Sequence, residues 1–254
     1  MALMFLLIVS VSVPRTSAEE MLSSTSTTTT PPVLLAPGNW VVMGSSTAAG
    51  SGAPRGKGWV ALVDAAFAPR GVKVANIAKR GAVTYHGLSM DAFRIARRPA
   101  PARKANIDAA LAHKPALIVL SYPSNDTAFG YSSEESINNL LAIRAQAQAA
   151  GVAVIVMSTQ PRNLVDVKLA QLRAIDDRLS EKVGACFLAV RPALEGANGR
   201  LAAEYDAGDG VHLTTKGHAF IAARLTELIE SGHCVRLGAD RRMGNAQENV
   251  VRMR

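Results

Sequence analysis

Apolar runs bounded by turn residues recur along the chain at residues 41–43, 72–77, 116–122, 152–158 and 186–190. Short continuous apolar runs of this kind read as strands buried on both faces, as in parallel sheets. The stretches between them, 58–67, 105–112, 134–149, 167–183 and 215–229, read as helices. Gly71 and Gly151 stand where two of these helices should stop. Strand alternating with helix predicts an α/β fold: a doubly wound sheet of about five parallel strands with helices on both faces, three layers in all. Ligands on such sheets bind beyond the carboxyl ends of the strands. Ser46, Asn125 and Ser158-Thr159-Gln160 all fall just past predicted strand ends.

The ends of the chain do not follow this pattern. Residues 2–13 are apolar or small, and Thr16-Ser17-Ala18 offers a small-residue cleavage site. Residues 1–18 therefore read as an export signal, and the expected location is secreted or periplasmic. A misassigned start followed by an unstructured leader is the other reading. Residues 23–32 are only Ser, Thr and Pro, so 19–36 is expected to be a flexible linker. The folded domain is expected over 37–233, and the Arg-rich stretch 234–254 is expected to be a flexible tail.

Composition adds two constraints. The net charge is +8, and residues 55–104 hold eleven Lys or Arg against Asp64 and Asp91. No zinc-finger, helix-turn-helix or RNP signature accompanies this excess, so no nucleic-acid partner is expected. Weak attraction to anionic polymers or surfaces is the reading that remains. Cys186 and Cys234 fit either one disulfide of an exported protein or two unpaired thiols.

The candidate chemistry lies at the two ends of the domain. Gly44-Ser45-Ser46-Thr47-Ala48-Ala49-Gly50 follows the apolar run Trp40-Val41-Val42-Met43. A turn there can expose the Ser46 hydroxyl beside backbone N–H groups that favour negative charge. The same small residues also suit a helix cap or a phosphate cradle. The Walker pattern fails, because Gly58 follows Lys57 where Ser or Thr is required. Late in the chain, Asp209-Gly210-Val211-His212 can place a carboxylate on an imidazole, or simply make a turn. Among the other histidines, His113 ends a helix, His218 lies within the last helix and His233 beyond it, while His86 could line a pocket. No zinc spacing is present, and no metal or cofactor is expected. Asn125 can donate a side-chain amide to an oxyanion, and Gly81 a backbone N–H where a glycine permits close approach. Each also suits a turn.

In combination these residues resemble the SGNH (GDSL-like) hydrolases over roughly residues 40–229. Ser46 matches the first block, Gly81 the second, Asn125 the third, and Asp209 with His212 the last. Thr84-Tyr85-His86, Pro123-Ser124-Asn125-Asp126 and Ser158-Thr159-Gln160-Pro161-Arg162-Asn163 also look like a secreted bacterial subgroup. Ser45 departs from the pattern, where Asp is common, and so does Pro123, where Gly is usual. The resemblance implies a flavodoxin-like three-layer fold, a Ser46–His212–Asp209 triad, and an oxyanion hole of Ser46, Gly81 and Asn125. It also implies ester or thioester hydrolysis without metal or cofactor. The expected substrate is a small ester or acylated polymer, with carbohydrate O-acetyl esters first. Lysophospholipase or thioesterase action at anionic surfaces is an alternative, and a noncatalytic cell-wall or carbohydrate-binding module is a third.

Overall fold

The structure, a computed structural model, describes residues 33–238; the expected signal segment and most of the expected tail lie outside them. In chain order the elements are β1 (Val33–Leu35), β2 (Asn39–Gly44), α1 (Trp59–Phe67), β3 (Lys73–Asn76), α2 (Thr84–Gly87), α3 (Ile107–Ala112), β4 (Leu117–Ser121), α4 (Asn125–Ala128), α5 (Ser133–Ala149), β5 (Ala153–Met157), α6 (Asp166–Val183), β6 (Phe187–Leu188), α7 (Arg191–Leu194), α8 (Thr215–Ser231) and β7 (Val235–Leu237).

The main sheet has five parallel strands in the order β3-β2-β4-β5-β6. Side chains alternate across it. Trp40 and Val42 of β2, Leu117 and Val119 of β4, and Ile155 of β5 face α1 and α8, packing with Trp59, Phe67, Ile221 and Leu225. Val41, Met43, Ile118, Leu120 and Val154 face α3, α5 and α6, packing with Ile107, Ile137, Ile143 and Leu179. The expected three-layer α/β fold is therefore present. Helix boundaries follow local chemistry. Ser132 and Glu135 form a reciprocal capping box at α5, and the Thr214 hydroxyl accepts from the Gly217 N–H at α8. Gly71, which ends the 3-10 turn Ala68–Arg70 after α1, and Gly151, just past α5, both adopt a left-handed φ of 75°.

The structure corrects the expected layout in three places. Val33–Leu35 and Val235–Leu237, assigned to linker and tail, form a parallel two-stranded sheet with Val33 opposite Val235. Three-residue apolar runs are too short to stand out from flanking polar sequence. The run 186–190 yields only a two-residue strand, because the Ser158 hydroxyl takes the N–H groups of Val190 and Arg191 and turns the chain into α7. The single-turn helices α2, α4 and α7 went unpredicted, since four residues carry no helical period.

Cys186 and Cys234 form a disulfide, resolving the open alternative. It joins the segment entering β6 to the residue preceding β7, across 48 residues. In the chain-entropy account a loop of that length contributes about 4 kcal/mol. Replacing both cysteines by Ser should lower unfolding stability by about 2–4 kcal/mol, read from the urea midpoint. An unchanged midpoint would mean that burial of the last strand, not the crosslink, holds it.

Candidate active site

The Ser46 turn exists because β2 and β4 approach too closely for a side chain. A Cβ on Gly44 would lie 2.1 Å from the Ser121 carbonyl oxygen. The Ser45 N–H still donates to that oxygen, at 3.1 Å, and the chain then leaves the sheet. Ser45 is buried, whereas Ser46 is half-exposed. The following turns use the carbonyls of Ser45, Ser46 and Thr47 as acceptors. The N–H of Ser46 itself meets no acceptor among the described residues.

His212 reaches this turn from the other end of the domain. Its Nε2 lies 3.0 Å from Ser46 Oγ and its Nδ1 lies 2.6 Å from Asp209 Oδ2. Asp209 Oδ1 accepts the N–H groups of His212 and Val211 at 2.8 and 2.9 Å. The backbone donation from His212, reinforced by the imidazole, lowers the Asp209 pKa to about 2. A carboxylate held ionised requires the proton on Nδ1, which leaves Nε2 as acceptor for the Ser46 hydroxyl. The depressed pKa also means that Asp209 contributes to stability above the ordinary carboxylate range and that this is lost as pH falls towards 2.

The two loops are joined by Gln160, a residue that sequence placed past a strand end without a role. Its buried amide accepts from the Thr47 hydroxyl at 3.0 Å and donates to the Val211 carbonyl at 2.6 Å. Gln160 thus connects the neighbour of Ser46 to the neighbour of His212. The Asn163 N–H adds a bond to the Gly210 carbonyl at 2.7 Å. His218 plays a similar part inside the domain. Its Nδ1 accepts from the Trp59 N–H and its Nε2 donates to the Ser51 carbonyl. Both ring nitrogens are thereby used, and burial pushes its pKa below the usual value. His86 Nδ1 accepts from the Val83 N–H and no acid is hydrogen-bonded to it among the described residues.

Gly81 and Asn125 are brought together by the segment after β3. The Lys79 N–H donates to the Gly44 carbonyl at 3.0 Å, and Arg80 donates to the Ser51 hydroxyl at 2.7 Å. These bonds bracket the Ser46 turn. Asn125 Nδ2 donates to the Ala82 carbonyl at 2.8 Å, next to Gly81. The Gly81 N–H has no acceptor among the described residues. The reason for glycine differs from the expected one. A Cβ there would meet nothing within 4 Å, and it is the left-handed φ of 71° that favours glycine. Asp126 anchors the Asn125 end, accepting both the N–H and the hydroxyl of Thr84, while Asn139 donates to that hydroxyl at 2.9 Å. Burial raises the Asp126 pKa, and the Thr84 donors oppose the rise. Asn125 is therefore committed to Ala82 rather than to an Asx turn.

Residues 42–220 match the GDSL-like Lipase/Acylhydrolase family, and the chain belongs to it. As a member of that family it is a hydrolase of esters. No curated protein matches the chain by sequence. Several solved structures share the fold. The psychrotrophic esterase EstA from Pseudoalteromonas sp. is 16% identical with a TM-score of 0.53, covering 76% of this chain and 97% of its own. A GDSL-like lipase from Bacteroides thetaiotaomicron is 20% identical with a TM-score of 0.55, covering 76% and 88%. A two-domain esterase active on acetylated mannans is 14% identical with a TM-score of 0.57, covering 81% of this chain and 52% of that one.

Asp209→Asn should keep the fold and lower kcat, by up to ~10⁴ as in serine proteases where the amide favours the wrong tautomer. Near wild-type kcat in this variant would reduce Asp209 to a turn residue. Because Asp209 is ionised above pH about 2, it should add no ionisation of its own to the acid limb of kcat/KM. A two-proton limb in the pH–rate profile would contradict this arrangement.

Proposed function

We propose that the protein is an exported serine esterase that removes small acyl groups, such as carbohydrate O-acetyl esters, through an acyl-enzyme. The observation that carries this reading is the relay from Ser46 Oγ through His212 to Asp209, at 3.0 and 2.6 Å. His212 Nε2 takes the Ser46 proton as Oγ attacks the acyl carbonyl. The oxyanion meets the N–H groups of Ser46 and Gly81 and the Nδ2 of Asn125. His212 then returns the proton to the leaving alcohol, and the acyl–oxygen bond to it breaks. Water enters, gives a proton to the same nitrogen and bonds to the acyl carbon; the bond from Ser46 Oγ to that carbon then breaks, the acid leaves and His212 returns the proton to Oγ.

Polar side chains near the relay support a small, polar substrate: Gln160 donates to the Val211 carbonyl beside His212, and Arg162 donates to Asn125 Oδ1. The fold neighbour active on acetylated mannans agrees with that class. Export is supported by the Cys186–Cys234 disulfide, a bond typical of oxidising compartments. A second reading, long-chain lipid esters at an anionic surface, draws on exposed Phe93, Ile95, Phe129, Val165 and Val167. These lie on the segments that follow β3, β4 and β5, among the cations of 55–104 and Lys168.

An ester panel decides between them. Acetylated oligosaccharides and p-nitrophenyl acetate should be cleaved faster than long-chain p-nitrophenyl esters, and Ser46→Ala should lose on the order of 10⁴-fold or more in kcat. Rates that climb with acyl length would favour the lipid reading. Undiminished turnover by Ser46→Ala would reject the relay.

A further inference from the structure

The turn after β5 carries Arg162, a residue the relay leaves without a task. Arg162 is half-buried, and its Nη1 donates to Asn125 Oδ1 at 3.1 Å. No ion pair holds it among the described residues; burial lowers its pKa, and the Asp209 carboxylate opposes that fall. On the opposite side, Asn125 Nδ2 donates to the Ala82 carbonyl at 2.8 Å. A guanidinium can only donate and a carbonyl can only accept. An amide lying between them has one allowed orientation. Rotated by half a turn, it would set N–H against N–H and oxygen against oxygen. The Ala82 carbonyl uses one of the two Nδ2 hydrogens, so the other is left for an incoming oxygen.

Charge strengthens the arrangement. A cation on Oδ1 draws electron density from the amide nitrogen and makes its remaining N–H a better donor. Arginine stays protonated throughout the working pH range, so this polarisation does not switch off. We infer that Arg162 is a positioning residue that locks the Asn125 amide with Nδ2 towards the oxyanion and polarises it. The inference rests on the proposed role of Ser46 and Asn125, and it adds a residue acting through Asn125 rather than on substrate.

The test is a double-mutant cycle on the full chain with p-nitrophenyl acetate, using Arg162→Met, Asn125→Ala, the pair, and Ser46→Ala as reference. Arg162→Met should lower kcat about tenfold to thirtyfold with KM within about twofold, less than the roughly 10²–10³ lost with the donor itself. Arg162→Lys, which retains a charged donor, should lose less. With Asn125 already Ala, adding Arg162→Met should cost less than about threefold, because the partner through which Arg162 acts is gone. Thermal midpoints confirm that the variants are folded; if Arg162→Met is not, the neutral Arg162→Gln takes its place in the cycle. Unchanged kcat, a rise in KM alone, or an equal loss in both backgrounds would overturn the inference and leave the relay standing. Full activity in Ser46→Ala would overturn the relay and the inference together.

Discussion

The buried amide of Gln160 ties together the two loops that the relay spans. Ser46 and His212 are 166 residues apart in sequence. Proton transfer between them requires hydrogen-bond contact, and a displacement of an ångström would break it. Gln160 fixes one loop with its oxygen and the other with its nitrogen. It can do so because it sits on β5's carboxyl edge, beyond β4 and two strands from β2, which delivers Ser46. The segment around Gln160 is itself held from below. Asp176 accepts the N–H and hydroxyl of Thr159 and the Nε of Arg191, all in the interior. Burial raises the Asp176 pKa against the pull of Arg191. Removing either member of such a buried pair typically costs about 3–5 kcal/mol, so the support for Gln160 is stiff.

The same logic appears on the oxyanion side. Asp126, Thr84 and Asn139 form a buried polar network beneath the segment that carries Gly81 and Ala82. The bonds from Thr84 to Asp126 and from Asn139 to Thr84 tie that segment to α4 and α5. Among the described residues the N–H groups of Ser46 and Gly81 meet no acceptor, and one amide hydrogen of Asn125 is free for an incoming oxygen. Donors left open at the mouth of a site are what electrostatic preorganisation requires.

Much of this was legible in the sequence, for identifiable reasons. The strands β2, β4 and β5 are buried on both faces and are written as unbroken apolar runs, so their ends, and with them Ser46, Asn125 and Gln160, could be placed. Asp209 and His212 were legible because a three-residue spacing brings the carboxylate to the ring within one turn. The roles of Gln160, Arg162 and His218 were not. Each depends on a partner far away in sequence: Thr47, Asn125 and Trp59 are separated from them by 113, 37 and 159 residues. Polar residues with distant partners leave no periodic trace. The β1–β7 pair was missed because three-residue strands gain their stability from the pairing, not from their own pattern.

The central claim, that Ser46 is the activated hydroxyl, is tested most directly by labelling the folded protein with a fluorophosphonate and mapping the modified peptide by mass spectrometry. The account predicts stoichiometric modification at Ser46, none at the buried neighbour Ser45, and loss of labelling in His212→Ala. Modification at Ser45 or at a serine away from His212, or labelling at Ser46 that persists without His212, would contradict it.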